Sequence, residues 1–168
     1  MANRTLVLNK SQIANKINRI AYQILEDNLE EKELVIAGIV SRGYVLAKRI
    51  IEQLAKISTF KITLVKIDLD KDSSSLIAST DVPIQELHHK VIILVDDVMS
   101  SGRTLGYGLG VFLNMPAKKI RTAVLVDRGH TNYPIGIDFA GYSLATVMQE
   151  HVSVILNSEE EEDAVYLV

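Results

Sequence analysis

"VIILVDDVMSSGRTLG", residues 91–106, sets an apolar run against two adjacent carboxylates, Asp96 and Asp97, and then a small polar turn before a helical pattern begins. The run Val91 to Val95 is typical of a strand buried on both faces, the kind found inside a parallel sheet. Leu105 to Leu113 carries the following helix. Strand, turn and helix in that order form the repeating unit of a doubly wound α/β sheet.

The same unit recurs on both sides. Leu34 to Val40 is a second continuous apolar run, Tyr44 to Ala55 returns to helical period through Leu46, Ile50 and Leu54, and Phe60 to Ile67 alternates before ending apolar. Ile120 to Val126 gives a further buried strand. Near the start, Ile13, Ile17, Ile20, Ala21, Ile24 and Leu25 keep one helical face, and Asn9 with Gln12 three residues on makes a capping-box start, so a helix is expected over about 10 to 28. Residues 68 to 90 are polar and irregular, with room for a short hairpin around Leu76-Ile77-Ala78 and Val82-Pro83-Ile84. The acidic run Glu159 to Asp163 reads as a solvated turn, because the apolar Ala164 to Val168 resumes after it. In such a sheet ligands bind beyond the carboxyl ends of the strands, which places the site just after Val40, Val95 and Val126.

Composition narrows the partners. At 168 residues and 48% hydrophobic content the chain suits one compact domain with a sizeable core. A net charge of −3, from 18 basic and 21 acidic residues, gives no overall positive field for nucleic acid. There is no cysteine, which removes disulfides, thiol nucleophiles and thiolate metal sites. No apolar run approaches the ~18 residues of a membrane span, and the first residues do not open a signal peptide. A soluble cytoplasmic protein is expected.

The turn after Val95 presents backbone N–H groups at a helix N-terminus, with Gly102 allowing close approach and the hydroxyls of Ser100, Ser101 and Thr104 as further donors. On physical grounds alone it suits a phosphate or an ordinary capped helix start. Asp96 and Asp97 would repel a neighbouring phosphate, so they must face something else. Sugar hydroxyls donate well to carboxylates, and a hydrated Mg²⁺ beside phosphates reverses the local sign. A ligand with a phosphate at one end and a diol and a metal further along satisfies both halves of the segment.

Ile92 through Thr104 resembles, place for place, the thirteen-residue 5-phosphoribosyl 1-diphosphate (PRPP) motif of type I phosphoribosyltransferases: four apolar residues, two acidic, two apolar, two small, Gly, any residue, Thr. Gly38-Ile39-Val40-Ser41-Arg42-Gly43 is similar to that family's pyrophosphate loop. Ala123 to His130, with Pro134-Ile135, resembles one subgroup, the pyrimidine-operon attenuators and uracil phosphoribosyltransferases called PyrR. The match runs from about Leu6 to Val165. It implies a single α/β domain over 1–168, of type I phosphoribosyltransferase fold: a central, mainly parallel sheet flanked by helices, a mobile loop region over 68–90, and a small C-terminal hood and strands over about 130–168.

By this resemblance Ser100, Ser101, Gly102, Arg103 and Thr104 hold the 5′-phosphate, and Asp96 and Asp97 accept from the ribose hydroxyls and favour positive charge on the ribose ring as pyrophosphate departs. Ser41, Arg42 and Gly43 grip the pyrophosphate. Val126, Asp127, Arg128 and Gly129 offer backbone groups to the edge of the base. Mg²⁺ arrives with PRPP, held through ligand oxygens and water near Asp96 and Asp97 rather than by direct protein ligands. The loop 68–80 corresponds to a segment that closes over the reaction centre, and Lys71 is the cation placed there for catalysis. The family further implies a homodimer or higher oligomer, with PRPP and a nucleobase or nucleoside monophosphate as ligands.

The sequence also departs from the PyrR pattern. The loop is shorter and carries Lys71 where an aromatic and an Arg are usual, which bears on turnover but not on PRPP binding. Position 100 is Ser, whereas enzymes for 6-oxopurines place an Asp there; a hydroxyl cannot serve as a carboxylate acid or base, so hypoxanthine and guanine are disfavoured. Two cations of the RNA-binding face are missing, where Gly136-Ile137-Asp138-Phe139 and Tyr142-Ser143-Leu144-Ala145-Thr146 stand. Weak or absent RNA binding is expected, with Arg4, Lys10, Lys16 and Arg19 left as a smaller patch. His88-His89 reads as a turn rather than a metal site, Asp81 before Val82-Pro83 as turn chemistry, and Met99 and Phe112 as core. His130 suits either a substrate contact or a loop cap. Two functions follow: an enzyme moving phosphoribose from PRPP to a base, most naturally uracil to give UMP, or a PRPP- or nucleotide-sensing regulator with the same pocket and little turnover.

Overall fold

The computed structural model describes residues 3–70, 77–146 and 149–168. Helix α1 (Lys10–Asp27) starts at the expected capping box, in which the Asn9 side chain accepts from Gln12 N–H and the Gln12 side chain accepts from Asn9 N–H. Its stripe Ile13, Ile17, Ile20, Ala21 and Ile24 is fully covered. Each such isoleucine contributes about 1.5–3 kcal/mol by burial, against about 1 kcal/mol for a cap, so packing holds this helix.

Strands β1 (Thr5–Leu8), β2 (Glu33–Ile39), β3 (Lys61–Asp70), β4 (Ile77–Thr80), β5 (Val91–Met99), β6 (Lys119–Asp127) and β7 (Phe139–Ser143) are followed by β8 (Val152–Ile155) and β9 (Ala164–Leu167); helices α2 (Arg42–Ile57) and α3 (Arg103–Leu113) complete the chain. The main sheet has the order β4-β3-β2-β5-β6-β7. All its neighbours are parallel except the edge pair β3–β4. Successive residues of the central strands go to opposite faces: Leu34 and Ile36 join Ile93 and Val95 under α1 and α2, while Val35, Ala37 and Ile39 join Ile92, Leu94 and Phe112 of α3. Burial on both faces is why these strands read as unbroken apolar runs.

Three boundaries differ from the expectation. Strand β5 runs on to Met99, so Asp96 and Asp97 lie within the strand and not beyond its end. Strand β3 continues to Asp70 and pairs with β4 in the register Ile67↔Thr80 to Asp70↔Ile77; the hairpin is this one, and Pro83 instead precedes a 3₁₀ turn over Ile84–Leu87. The smaller sheet, β1-β9-β8, joins the N-terminal strand to the two last ones, whereas β7 extends the main sheet. Arg49 of α2 is paired with Asp163, which ties the smaller sheet's acidic turn to the main body.

At the amino end of β6, Asp27 receives Lys119 at 3.0 Å and Arg121 at 3.1 Å, fastening the end of α1 to the sheet. Burial alone would raise the Asp27 carboxyl, but the hydrogen bonds and charges of Lys119 and Arg121 outweigh it and hold the group below its ordinary value. Because the folded value is the lower one, the stabilisation is full above the unfolded value of about 4 and is lost as pH falls through the folded value. Asp27→Asn is expected to lower stability by about 0.5–1 kcal/mol at pH 7, as fits a partly exposed pair. Urea denaturation of both proteins should show that difference close as the pH is lowered from about 4 through the folded value.

Candidate functional site

The order of the main sheet reverses at β2 and β5: from β2 the chain goes outward to β3, then returns to the other side of β2. A reversal of this kind opens a crevice at the carboxyl ends of the two strands. Ser41, Arg42 and Gly43 leave β2 there, after a cis Val40–Ser41 peptide, beside the last residues of β5 that carry Asp96 and Asp97, and Ser100 to Thr104 leave β5 beyond Met99. The two segments touch. A Cβ added to Gly43 would stand 2.9 Å from the Val95 carbonyl oxygen and 3.0 Å from both Asp96 Cα and Oδ1, so only glycine admits the approach. Arg42 Nε donates to Asp97 Oδ2 at 2.8 Å, and Asp97 N–H donates to Asp96 Oδ1 at 2.9 Å. Asp96 is 8% exposed. The Arg42 side chain is open to solvent while the Asp97 carboxylate is largely covered, so a ligand can reach the arginine from outside.

Past Met99 the chain turns through Gly102 at φ 85°, the left-handed region, and enters α3. A Cβ there would meet Ile135 Cγ2 at 2.7 Å. Ser101 Oγ accepts from Arg103 N–H, and its carbonyl accepts from the N–H groups of Asn132 and Tyr133, which seats the 130–135 loop against the turn. The turn forms a cup of about 40 Å³ lined by Asp96, Met99, Ser100, Ser101, Gly102 and Thr104 among others. Arg103 stays outside it, with its guanidinium 5.7 Å from the Tyr107 ring.

A wider cleft of about 370 Å³ opens beside the cup, between the ends of β6 and β7, lined by Asp127, Arg128, Gly129, His130, Ser143, Leu144 and Ala145. Val126 is fully buried in the core, so only its backbone could serve a ligand. Asp127 Oδ1 accepts from Gly129 N–H, and the Asp127 carbonyl from Leu144 N–H, both within the rim. Ser143, Leu144 and Ala145 did not figure among the sequence candidates; the signal that could have found them is Phe139–Ser143 as one more parallel strand, whose end must lie beside that of β6. Lys66 was also missed. It stands 5.7 Å from the Tyr44 ring, just after Gly43, and adds positive charge near the Ser41–Gly43 segment. His130 Nε2 donates to the Thr146 carbonyl, which is the loop-cap alternative for that residue. Lys71 lies outside the described residues. His88 and His89 sit between Leu87 and β5, and among the described residues no three histidines or carboxylates converge as a metal cage. Two neighbouring carboxylates, Asp96 and Asp97, do fit Mg²⁺ carried by a phosphorylated ligand, since that ion keeps several waters and needs one or two protein oxygens at most.

Residues 4–156 match the family model described as phosphoribosyl transferase domain. Among curated relatives, a "Bifunctional protein PyrR" of Alkaliphilus metalliredigens is 34% identical, covering 99% of this chain and 96% of its own. Those of Bacillus subtilis, at 34% with 98% and 97% covered, and of Staphylococcus epidermidis, at 36% with 96% and 97%, are similar. Among solved structures, the hypoxanthine phosphoribosyltransferase of Trypanosoma cruzi superposes with TM-score 0.79 at 13% identity over 97% of this chain and 95% of that one. A hypoxanthine-guanine phosphoribosyltransferase of Bacillus anthracis gives 0.71 at 21% over 83% and 81%. At those identities the structural likeness is one of fold.

Adding a methyl at Gly43 forces backbone apart, whereas one at Gly110, inside α3, meets nothing within 4 Å. Gly43→Ala is therefore expected to cost about 1–3 kcal/mol, and Gly110→Ala to add up to about 1 kcal/mol through helix propensity. Thermal and urea unfolding of the two variants should give shifts of opposite sign.

Proposed function

This chain belongs to the phosphoribosyltransferase family, and on that premise we propose that it transfers the 5-phosphoribosyl group from PRPP to uracil, giving UMP and pyrophosphate. The observation that carries the proposal is the meeting of Arg42 and Gly43 with Asp96 and Asp97 at the reversal of the sheet, with the cup at Ser100–Thr104 on one side and the cleft at Asp127–His130 on the other. The cup takes the 5′-phosphate through the turn's N–H groups and hydroxyls. Asp96 and Asp97 accept from the ribose hydroxyls, and Arg42, released from Asp97, turns to the pyrophosphate. Mg²⁺, when bound with PRPP, supplies neutralisation of the pyrophosphate charge.

In the reaction the bond from C1 of the ribose to the pyrophosphate oxygen breaks, the electron pair leaving with pyrophosphate. N1 of uracil forms the new bond to C1 and gives up its proton, which the pyrophosphate oxygens can accept. The positive charge that develops on the ribose ring lies beside Asp96 and Asp97, where fixed carboxylates stabilise it without reorganisation. Uracil is favoured over 6-oxopurines because Ser100 has no carboxylate to manage the imidazole proton of a purine. The segment around Lys71 serves as the closing loop, and residues 1–168 act as one domain with the smaller sheet as its hood. The protein works in the cytoplasm as a homodimer or higher oligomer.

RNA binding is expected to be weak. Of the smaller basic patch, Arg4 is paired with Glu161 at 3.0 Å, and Arg19 donates to the carbonyls of Ala140 and Gly141, which leaves for phosphates Lys10 and Lys16, the latter over the Tyr142 ring at 5.6 Å. Two phosphate contacts supply little electrostatic affinity. Filter binding to a pyrimidine-operon leader should thus be weak already at low salt, and tight sequence-selective retention at moderate salt would overturn this part.

Turnover is tested with labelled uracil, hypoxanthine, guanine and adenine, each with PRPP and Mg²⁺. UMP is the expected product, and Asp96→Asn and Asp97→Asn should each lower kcat/KM by about a hundredfold or more. Product from hypoxanthine or guanine alone, or full activity in either variant, would sink the reading.

A further inference from the structure

The resemblance implies that Arg128 is one of four residues offering backbone groups to a base. In the structure its side chain does something else. Nη1 donates to Ser100 Oγ at 3.2 Å, Nε donates to Thr146 Oγ1 at 3.0 Å, and Nη2 donates to the Glu150 carbonyl, while its own N–H donates to the Met99 carbonyl at 3.0 Å. One planar group thus holds the phosphate turn by one nitrogen and the segment past β7 by the other two. Thr146 is 6% exposed, and its carbonyl is also taken by His130 Nε2, so the far end of this clasp is fixed from two sides.

We propose that Arg128 is a positioning residue that couples the 5′-phosphate cup to the base cleft, so that the cleft is set in its binding shape only when this guanidinium bridges Ser100 to Thr146 and Glu150. The proposal rests on the phosphoribosyl-transfer reading of the site and deepens it.

The chemistry of the contact gives the coupling a direction. A guanidinium has five N–H donors and no acceptor, so Ser100 can meet it only as an acceptor. The Ser100 hydroxyl proton is then left to donate elsewhere, and Ser100 lines the cup. A phosphate accepting that proton polarises the Ser100 oxygen and strengthens the bond it receives from Arg128. Occupying the cup thereby tightens the tie that holds the cleft's rim. Arg128 lines the cleft itself, so a shift of its plane moves a wall against which a base would stack or hydrogen-bond. Lysine keeps the charge but not the rigid fork, and cannot reach three partners in one plane.

The test compares UMP, which fills both cup and cleft, with ribose 5-phosphate, which fills the cup, by calorimetric titration into the full chain at one ionic strength. Unmodified protein should bind UMP more tightly than ribose 5-phosphate. Arg128→Lys should weaken UMP by about tenfold or more, the scale of a lost charged hydrogen bond, while ribose 5-phosphate stays within about threefold. Thr146→Val, which leaves the Arg128–Ser100 contact in place and removes one far partner, should move the ratio the same way by a smaller factor, and it serves if Arg128→Lys fails to fold. A parallel fall for both ligands would show that Arg128 supports cup and cleft alike without coupling them, and would overturn the proposal. So would an unchanged ratio with a lowered Tm, which marks a brace without coupling. Failure of the unmodified protein to bind either ligand would instead bring down the phosphoribosyl-transfer reading and this inference with it.

Discussion

The structure depends on the contact of Gly43 with Val95 and Asp96, where the segment leaving one central strand lies directly against the other. Two parallel strands that part company in opposite directions leave a crevice at their carboxyl ends, and what lines it is decided by how near the two departing segments come. Here they come so near that a methyl group would not fit. The distance fixes Asp96 under the 41–43 segment and brings Arg42 within 2.8 Å of Asp97, so that two segments 55 residues apart in sequence present one surface. Everything else in the site is arranged around that junction. The cup follows β5 by a few residues, and the cleft follows the next two strands outward.

Charge is divided along the same line. Two carboxylates beside an anion site need partners of their own, and the geometry shows what keeps them in place without a ligand: Asp97 has Arg42, and Asp96 has the Asp97 N–H. The arginine is the more exposed partner of the pair, so it can be drawn to an incoming phosphate while the carboxylates remain held by the strand. A surface ion pair of this kind is worth little in itself, about 0–1 kcal/mol, which suits a contact that has to be exchanged.

The central strands were legible in the sequence because burial on both faces leaves an unbroken apolar run, as at Leu34–Val40 and Val91–Val95. α1 was legible to within a residue because both its stripe and its capping box are local signals. The carboxyl end of β5 was not, since polar residues 96 and 97 break the apolar run although the backbone pairing continues to Met99. β1 and β7 were missed for a related reason. They are four and five residues long, too short for a clear pattern, and β1 depends on a partner, β9, at the far end of the chain. In the site, residue types and spacing brought out the turn after β5 and the two carboxylates, which the structure places side by side. The role of the Arg128 side chain could not be read that way, because its three acceptors lie 18 to 28 residues off on either side and are joined only by the fold.

The central claim is that the ends of β2 and β5 make one PRPP site in which the carboxylates read the ribose. Calorimetric titration of PRPP with Mg²⁺ into the protein and into Asp97→Asn tests it most directly, because it needs no base and no turnover. The account predicts one PRPP per chain, bound at least about tenfold more weakly by the variant, as expected when a charged hydrogen-bond acceptor is neutralised. No binding to the unmodified protein, or equal affinity for both, would contradict it.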